Sequence, residues 1–230
     1  MKIGIVGALE EEISIIKEII HNQEIKKNGT FKIYQGKIKN NKIFLIKSGI
    51  GKVCASIATT MLIHLYKINI IINIGSAGAL KNCLQIGDII IPKKICYYDV
   101  NLTNFGYSKG QVPKHPKKFN IDKNLYNIFK KILLKFNLRY SKGLIVTGDS
   151  FIRGEISKKI KYQFSSAIGV DMESAAIAQV CYHFKIPYII IKSISDLSDN
   201  HATLNFKKNI STASFQSSKL AKLILENINF

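Results

Sequence analysis

The sequence predicts an α/β fold: a three-layer α/β/α sandwich around a central mixed, mostly parallel β-sheet. Three observations predict it. Apolar segments of strand length alternate with amphipathic segments of helical period along the whole chain. Several of those strands, such as 70–74 (Ile-Ile-Ile-Asn-Ile), are apolar almost throughout, as strands covered on both faces are. The third observation concerns acids, which number 15 against 34 Lys plus Arg. They recur just beyond the ends of strand-like segments: Glu10-Glu11-Glu12, Asp171 with Glu173, and Asp196. In open α/β sheets ligands bind beyond the carboxyl ends of the strands, so retained acids there point to acid–base chemistry on a small molecule.

The elements follow in order. Residues 2–6 form a buried-type strand, and 10–20 a helix with Ile13, Ile16 and Ile20 on one face. Segments 31–38 and 42–47 read as a hairpin turning at Asn40-Asn41. Residues 51–66 read as a helix with Val53, Ile57, Met61 and Leu65 on one stripe. Strand 70–74 enters a small-residue loop, Gly75-Ser76-Ala77-Gly78, and 88–97 continues as strand. Residues 101–118, with Gly106, Gly110, Pro113 and Pro116, form a loop long enough to suggest a function. Helix 122–136, strand 143–146, a short helix at 157–164, strand 167–170 and helix 172–184 come next. Strand 188–194, loop 197–205 and helix 206–228 close the chain. With no repeat, low-complexity linker or composition break, residues 1–230 read as a single domain.

Composition excludes several classes. No apolar run approaches the roughly 18 residues of a membrane-spanning helix, and the first residues show no signal-peptide pattern. Cys54, Cys83, Cys96 and Cys181 are scattered, which fits reduced thiols in the cytoplasm. The five histidines have no metal-type spacing, and no metal or cofactor is expected. The net charge of +19 is spread as Lys along the chain, with Arg139 and Arg153 the only arginines. Specific nucleic-acid readers cluster basic residues and favour Arg, so a specific nucleic-acid partner is not expected.

Each chemical candidate has a plain structural alternative. Gly4 and Gly7 lack the Gly-x-Gly-x-x-Gly spacing of a dinucleotide site. Glu10, Glu11 and Glu12 suit a helix N-terminus through the macrodipole. Ser76 and Gly78 either make a tight turn or bring backbone N–H groups against a sugar or anion. Asp171 and Glu173 either favour a first helical turn or supply a carboxylate that accepts from two adjacent ribose hydroxyls, with Met172 as an apolar neighbour. Ser195 and Asp196 either cap a turn or supply a proton donor whose pKa burial has raised.

In their order along the chain these segments resemble the 5′-methylthioadenosine/S-adenosylhomocysteine nucleosidases of the nucleoside phosphorylase/nucleosidase superfamily. The resemblance runs essentially end to end. It rests on Met1 to Ala8 with Glu10-Glu11-Glu12, on 47–53 (Lys-Ser-Gly-Ile-Gly-Lys-Val) and on Gly75-Ser76-Ala77-Gly78. It continues through Phe105-Gly106-Tyr107, Gly148-Asp149-Ser150-Phe151-Ile152, Met172-Glu173 and Ser195-Asp196.

The resemblance implies a phosphorylase/hydrolase-like fold and hydrolysis of the bond between adenine and ribosyl C1′, a step in methionine salvage. It implies that Asp196 protonates adenine N7, Glu12 activates water, and Glu173 binds the ribose hydroxyls. Such inverting chemistry sets acid and base roughly 6.5–9.5 Å apart. Ile152 would read the adenine edge through its backbone, with Phe151 stacked on the ring. Leu9, Ile50, Met172 and Phe206 would line the sugar and 5′-thio pocket. Leu102, Phe105 and Pro113 would reach across from a second subunit, which makes the protein a homodimer.

Two positions depart from the family pattern: Lys192 where Arg is common near the water, and Asp171 where Glu is usual. The rival reading is a purine nucleoside phosphorylase using phosphate as nucleophile. Such enzymes commonly carry Arg just before the Gly-rich segment; here that stretch reads Ile72-Asn73-Ile74-Gly75, and neither Arg139 nor Arg153 falls in a matching position.

Overall fold

The computed structural model describes residues 1–228. Strand β1 (Lys2–Gly7) leads into helix α1 (Glu10–Glu18), whose Ile13 and Ile16 are buried. Strand β2 (His21–Asn28) follows, an element the sequence does not suggest. Its residues have no apolar alternation and are all exposed, because β2 is an edge strand held by backbone pairing to β3 (Phe31–Ile38). Its lysines suit an edge that must resist pairing with other chains. Strand β4 (Asn41–Lys47) closes a hairpin with β3. Ile38 pairs with Asn41, so the turn residues are Lys39 and Asn40, one place earlier than the sequence suggests. Lys39 adopts a φ of 51°.

Helix α2 (Lys52–Tyr66) corrects a second expectation. Its buried face is Ala55, Ala58, Thr59, Leu62 and Ile63, whereas Val53, Ile57 and Leu65 of the expected stripe are exposed. The small residues let α2 lie against the Ala-rich buried face of α5 (Ser174–Phe184).

Strand β5 (Ile70–Ala79) extends straight through Gly75 to Gly78, so the expected loop is strand. The expected strand 88–97 is two pieces, β6 (Ile89–Ile90) and β7 (Lys94–Tyr97), with Pro92 between them. Proline has no N–H to give a ladder. The long segment that follows holds only a 3-10 turn at Thr103–Phe105 before β8 (Phe119–Asn120).

Helix α3 (Lys123–Lys135) starts where Asp122 accepts a hydrogen bond from the Leu125 N–H at 2.8 Å. Then come β9 (Leu144–Thr147), α4 (Gly154–Gln163), β10 (Ala167–Asp171), α5 and β11 (Tyr188–Asp196). The last helix, α6 (Ala202–Asn227), starts four residues earlier than expected. The turn leading into it is closed by Asp199, whose side chain accepts from the His201 N–H at 2.8 Å.

One mixed sheet carries all the strands in the order β2-β3-β4-β1-β5-β10-β9-β7-β8, with β11 on β5 and β6 on β11. The centre is parallel: β4, β1, β5 and β11 run together, as do β7, β9 and β10. Helix α6 packs on β5 and β11 with α1 beside it over β1, β4 and β5, and α2 with α5 forms the opposite layer. Ile5, Ile72 and Ile190 are among the fully buried strand residues. Each such side chain contributes about 1.5–3 kcal/mol of hydrophobic stabilisation. Among the described residues no helix is long and apolar enough to cross a membrane.

Candidate active site

Strand β5 organises the site because on one edge its pairing with β1 ends at Asn73 and its pairing with β10 begins only at Gly78, which leaves residues 74–77 open there. β11 runs parallel along the other edge, and its register shifts between Ile194 and Asp196, which sets Asp196 opposite Gly78. Bulges of this kind re-aim a side chain. On the edge shared with β1, β10 runs antiparallel, pairing Val170 with Gly78 and Gly169 with Ala79. That direction carries the acidic end of β10 back beside the middle of β5. A Cβ at Gly78 would press on Ser198 Oγ and come within 3.0 Å of Asp196 Oδ1, so any larger residue there would displace the side chains of the site.

Of the three consecutive glutamates, only Glu12 enters the site. Glu10 pairs on the surface with Lys17 at 2.6 Å and Lys47 at 3.5 Å. Glu12 Oε2 accepts from the backbone N–H groups of Ala8 at 2.7 Å and Leu9 at 3.1 Å, turning back over the start of α1. This is the return half of a capping box. Its Oε1 accepts from the Ser76 N–H at 3.0 Å and the Ser76 hydroxyl at 3.1 Å. Gly75, at φ 151°, brings β5 so close that a Cβ there would lie 2.7 Å from Glu12 Oε1. The carboxylate is therefore clamped between β1 and β5.

Glu173 stands at the N-terminus of α5, and its Oε1 accepts from the Gly51 N–H at 3.0 Å. Its Oε2 lies 3.7 Å from Lys192 Nζ, which itself lies 3.1 Å from Asp171 Oδ2. Burial pushes the Glu173 carboxyl up. Lys192 pulls it down, Asp171 and Glu12 push it further up, and the Gly51 N–H pulls it down; the result is a pKa of about 7. Burial works against the Lys192 charge too, but Asp171, Glu173 and Glu12 outweigh it and raise its pKa. Asp171 is fixed from three sides: by the Thr147 hydroxyl at 2.6 Å, the Ser174 N–H at 3.1 Å and the Ser174 hydroxyl.

Asp196 Oδ1 accepts from the Ser198 N–H at 3.0 Å and Oδ2 from the Ser195 hydroxyl at 2.9 Å. Burial raises its pKa, against the lowering effect of those two donors. A raised carboxyl pKa suits a proton donor working near neutral pH.

These groups share one cavity of about 330 Å³. Glu12, Glu173, Asp196, Met172, Ile152, Phe151, Ser76, Gly78, Leu9, Ile50, Ser195 and Phe206 all line it. Phe151 and Phe206 meet edge to face with ring centroids 5.5 Å apart. Leu102, Phe105 and Pro113 do not line it, and Phe105 is 77% exposed. Lys192 does not line it either, contrary to a place beside the water; it lies behind the wall on Asp171 and Glu173. Ser198 is a lining residue that sequence reasoning missed. Its hydroxyl is buried without a hydrogen-bond partner among the described residues, and its φ is 52°. Among the described residues no group of three or more His, Cys, Asp or Glu side chains is placed to share a metal ion.

Known proteins match this chain along nearly its whole length. Residues 2–226 match the model of the phosphorylase superfamily. The chain is 64% identical to the 5′-methylthioadenosine/S-adenosylhomocysteine nucleosidase of Buchnera aphidicola subsp. Schizaphis graminum, covering 100% of this chain and 98% of that one. It is 42% identical to the nucleosidase of the same name from Staphylococcus epidermidis, over 98% of this chain and 100% of the relative. Its structure superposes with a TM-score of 0.96 on the Neisseria meningitidis nucleosidase in complex with methylthio-immucillin-A. That pair is 35% identical over 99% of both chains. The chain belongs to the phosphorylase superfamily, among its 5′-methylthioadenosine/S-adenosylhomocysteine nucleosidases.

Proposed function

We propose that Asp196, Glu12 and Glu173 divide the nucleosidase reaction between them. The reaction is hydrolysis of the N-glycosidic bond of 5′-methylthioadenosine and S-adenosylhomocysteine, giving adenine and 5-methylthioribose or S-ribosylhomocysteine. Asp196, with its raised pKa, gives a proton to adenine N7, and the neutral base departs. The sugar becomes oxocarbenium-like, and a water activated by Glu12 adds at C1′. Glu173 accepts hydrogen bonds from the ribose 2′- and 3′-hydroxyls. Phe151 and Ile152 form the adenine side of the cavity, and Leu9, Ile50, Met172 and Phe206 the sugar and 5′-thio side.

The observation that carries this reading is the convergence of the three buried acids on one cavity, each held by backbone donors from a different segment: the end of β1, the start of α2 and the turn after β11. The same lining disfavours phosphorolysis. It contains four acids and, among the described residues, no Lys or Arg that could hold a phosphate.

The reading extends to the assembly. Leu102, Phe105 and Pro113 lie off the cavity of their own chain, and α2 exposes Val53, Ile57 and Leu65. Both features support a homodimer in which each loop completes the partner's 5′-substituent pocket. The continuous sheet supports a single domain, and four unpaired cysteines fit the cytoplasm.

The test is Asp196→Asn. The amide keeps the shape and loses the acid, so kcat for adenine release falls by about 10²–10⁴, while adenine still binds. Wild-type turnover in this variant removes Asp196 from the role.

A further inference from the structure

Lys192 is the least expected charge in the molecule. It is 1% exposed, it does not line the cavity, and both its ionic partners are carboxylates in the cavity wall. An ammonium this deep is stable only when paired. Its nearer partner, Asp171, is locked by Thr147 and Ser174, whereas its farther partner, Glu173, has besides it only the Gly51 N–H among the described residues. The arrangement is asymmetric: a fixed carboxylate anchors the cation, and a second carboxylate is held less tightly at 3.7 Å.

The groups acting on Glu173 come from four elements: Lys192 on β11, Asp171 on β10, Glu12 on α1 and the Gly51 N–H at the start of α2. Farther along that helix start, Lys52 and Asp149 pair with each other at 3.6 Å. Burial, Asp171 and Glu12 all favour the protonated form of Glu173, and among the described residues Lys192 is the one cation set against them. A protonated carboxyl has lost acceptor capacity and cannot take two hydroxyl donors as a carboxylate does.

We propose that Lys192 and Asp171 form a positioning couple: Lys192 holds the Glu173 carboxylate ionised and available to the ribose, and Asp171 sets how much of the Lys192 charge Glu173 receives. This rests on the reading of Glu173 as the ribose-binding group. The couple acts through Glu173 and touches no reacting atom. It gives Lys192 and Asp171 a joint role: the shorter acid takes up the ammonium and keeps it behind the wall.

The test is the pH dependence of kcat/KM for 5′-methylthioadenosine, which reports groups of the free enzyme. In the wild type, kcat/KM falls as pH drops through the Glu173 pKa of about 7. Lys192→Met moves that fall to higher pH by about one to three units, the size expected from losing a close opposite charge. Asp171→Asn moves it to lower pH, because Glu173 loses a like charge and gains a larger share of Lys192. Lys192→Arg keeps it near the wild-type position. Adenine, which lacks the sugar, binds all three variants with wild-type affinity.

The opposite signs are the signature, since damage to packing would lower activity without moving the two profiles apart. The isosteric Asp171→Asn carries the test alone if Lys192→Met does not fold. Unmoved profiles in both charge variants, with the fall abolished by Glu173→Gln, overturn the couple and leave the ribose reading standing. A Glu173→Gln enzyme with unchanged kcat/KM overturns both.

Discussion

At the scale of residues, the site depends on carboxylates held by donors that a substitution nearby would disturb. Gly75 shows how tight the margin is. Its φ of 151° and the 2.7 Å that would separate an added Cβ from Glu12 Oε1 leave room for hydrogen alone. Gly75→Ala is expected to cost about 1–3 kcal/mol of stability through backbone strain and to displace Glu12, so kcat falls more than adenine affinity. Thermal unfolding together with steady-state kinetics checks this; an alanine variant with wild-type stability and kcat contradicts it. The three acids are legible in the sequence because acids are scarce and these follow buried strands. Ser198 is not legible, because its place depends on the register shift in β11 and on its own positive φ. The position of Lys192 is equally hidden. Within a strand of nine buried residues, nothing in the sequence says which polar side chain meets the cavity and which lies behind it.

At the scale of elements, the parallel centre of the sheet is readable from near-continuous apolar runs, and β2 is not, because an exposed edge strand needs no apolar face. Helix α2 is the instructive case. Both its faces carry apolar residues at helical spacing, so periodicity finds the helix without saying which face meets the sheet. The structure buries the alanine face and leaves Val53 at 68% and Ile57 at 45% exposed. If that stripe joins two copies, Val53→Asp with Ile57→Asp yields monomers at micromolar concentration. Exposed substitutions usually change folding stability by only about 0.5 kcal/mol each, so the monomers remain folded. If the proposed shared pocket holds, they also lose kcat/KM, since Phe105 and Pro113 then have no partner to complete. Sedimentation with parallel kinetics decides it, and a fully active monomer contradicts the shared pocket.

At the scale of the molecule, charge separates outside from inside. The chain carries a net charge of +19, yet its cavity is lined by four acids and no base among the described residues. Excess Lys therefore speaks to the surface, and the nucleophile must be one that an acidic site tolerates. Neutral water fits such a lining; a phosphate dianion does not. The measurement that tests this most directly is adenine release from 5′-methylthioadenosine in phosphate-free buffer and again with phosphate added, identifying the sugar each time. Equal rates and free 5-methylthioribose in both are predicted. Release only with phosphate, yielding the sugar 1-phosphate, contradicts the account.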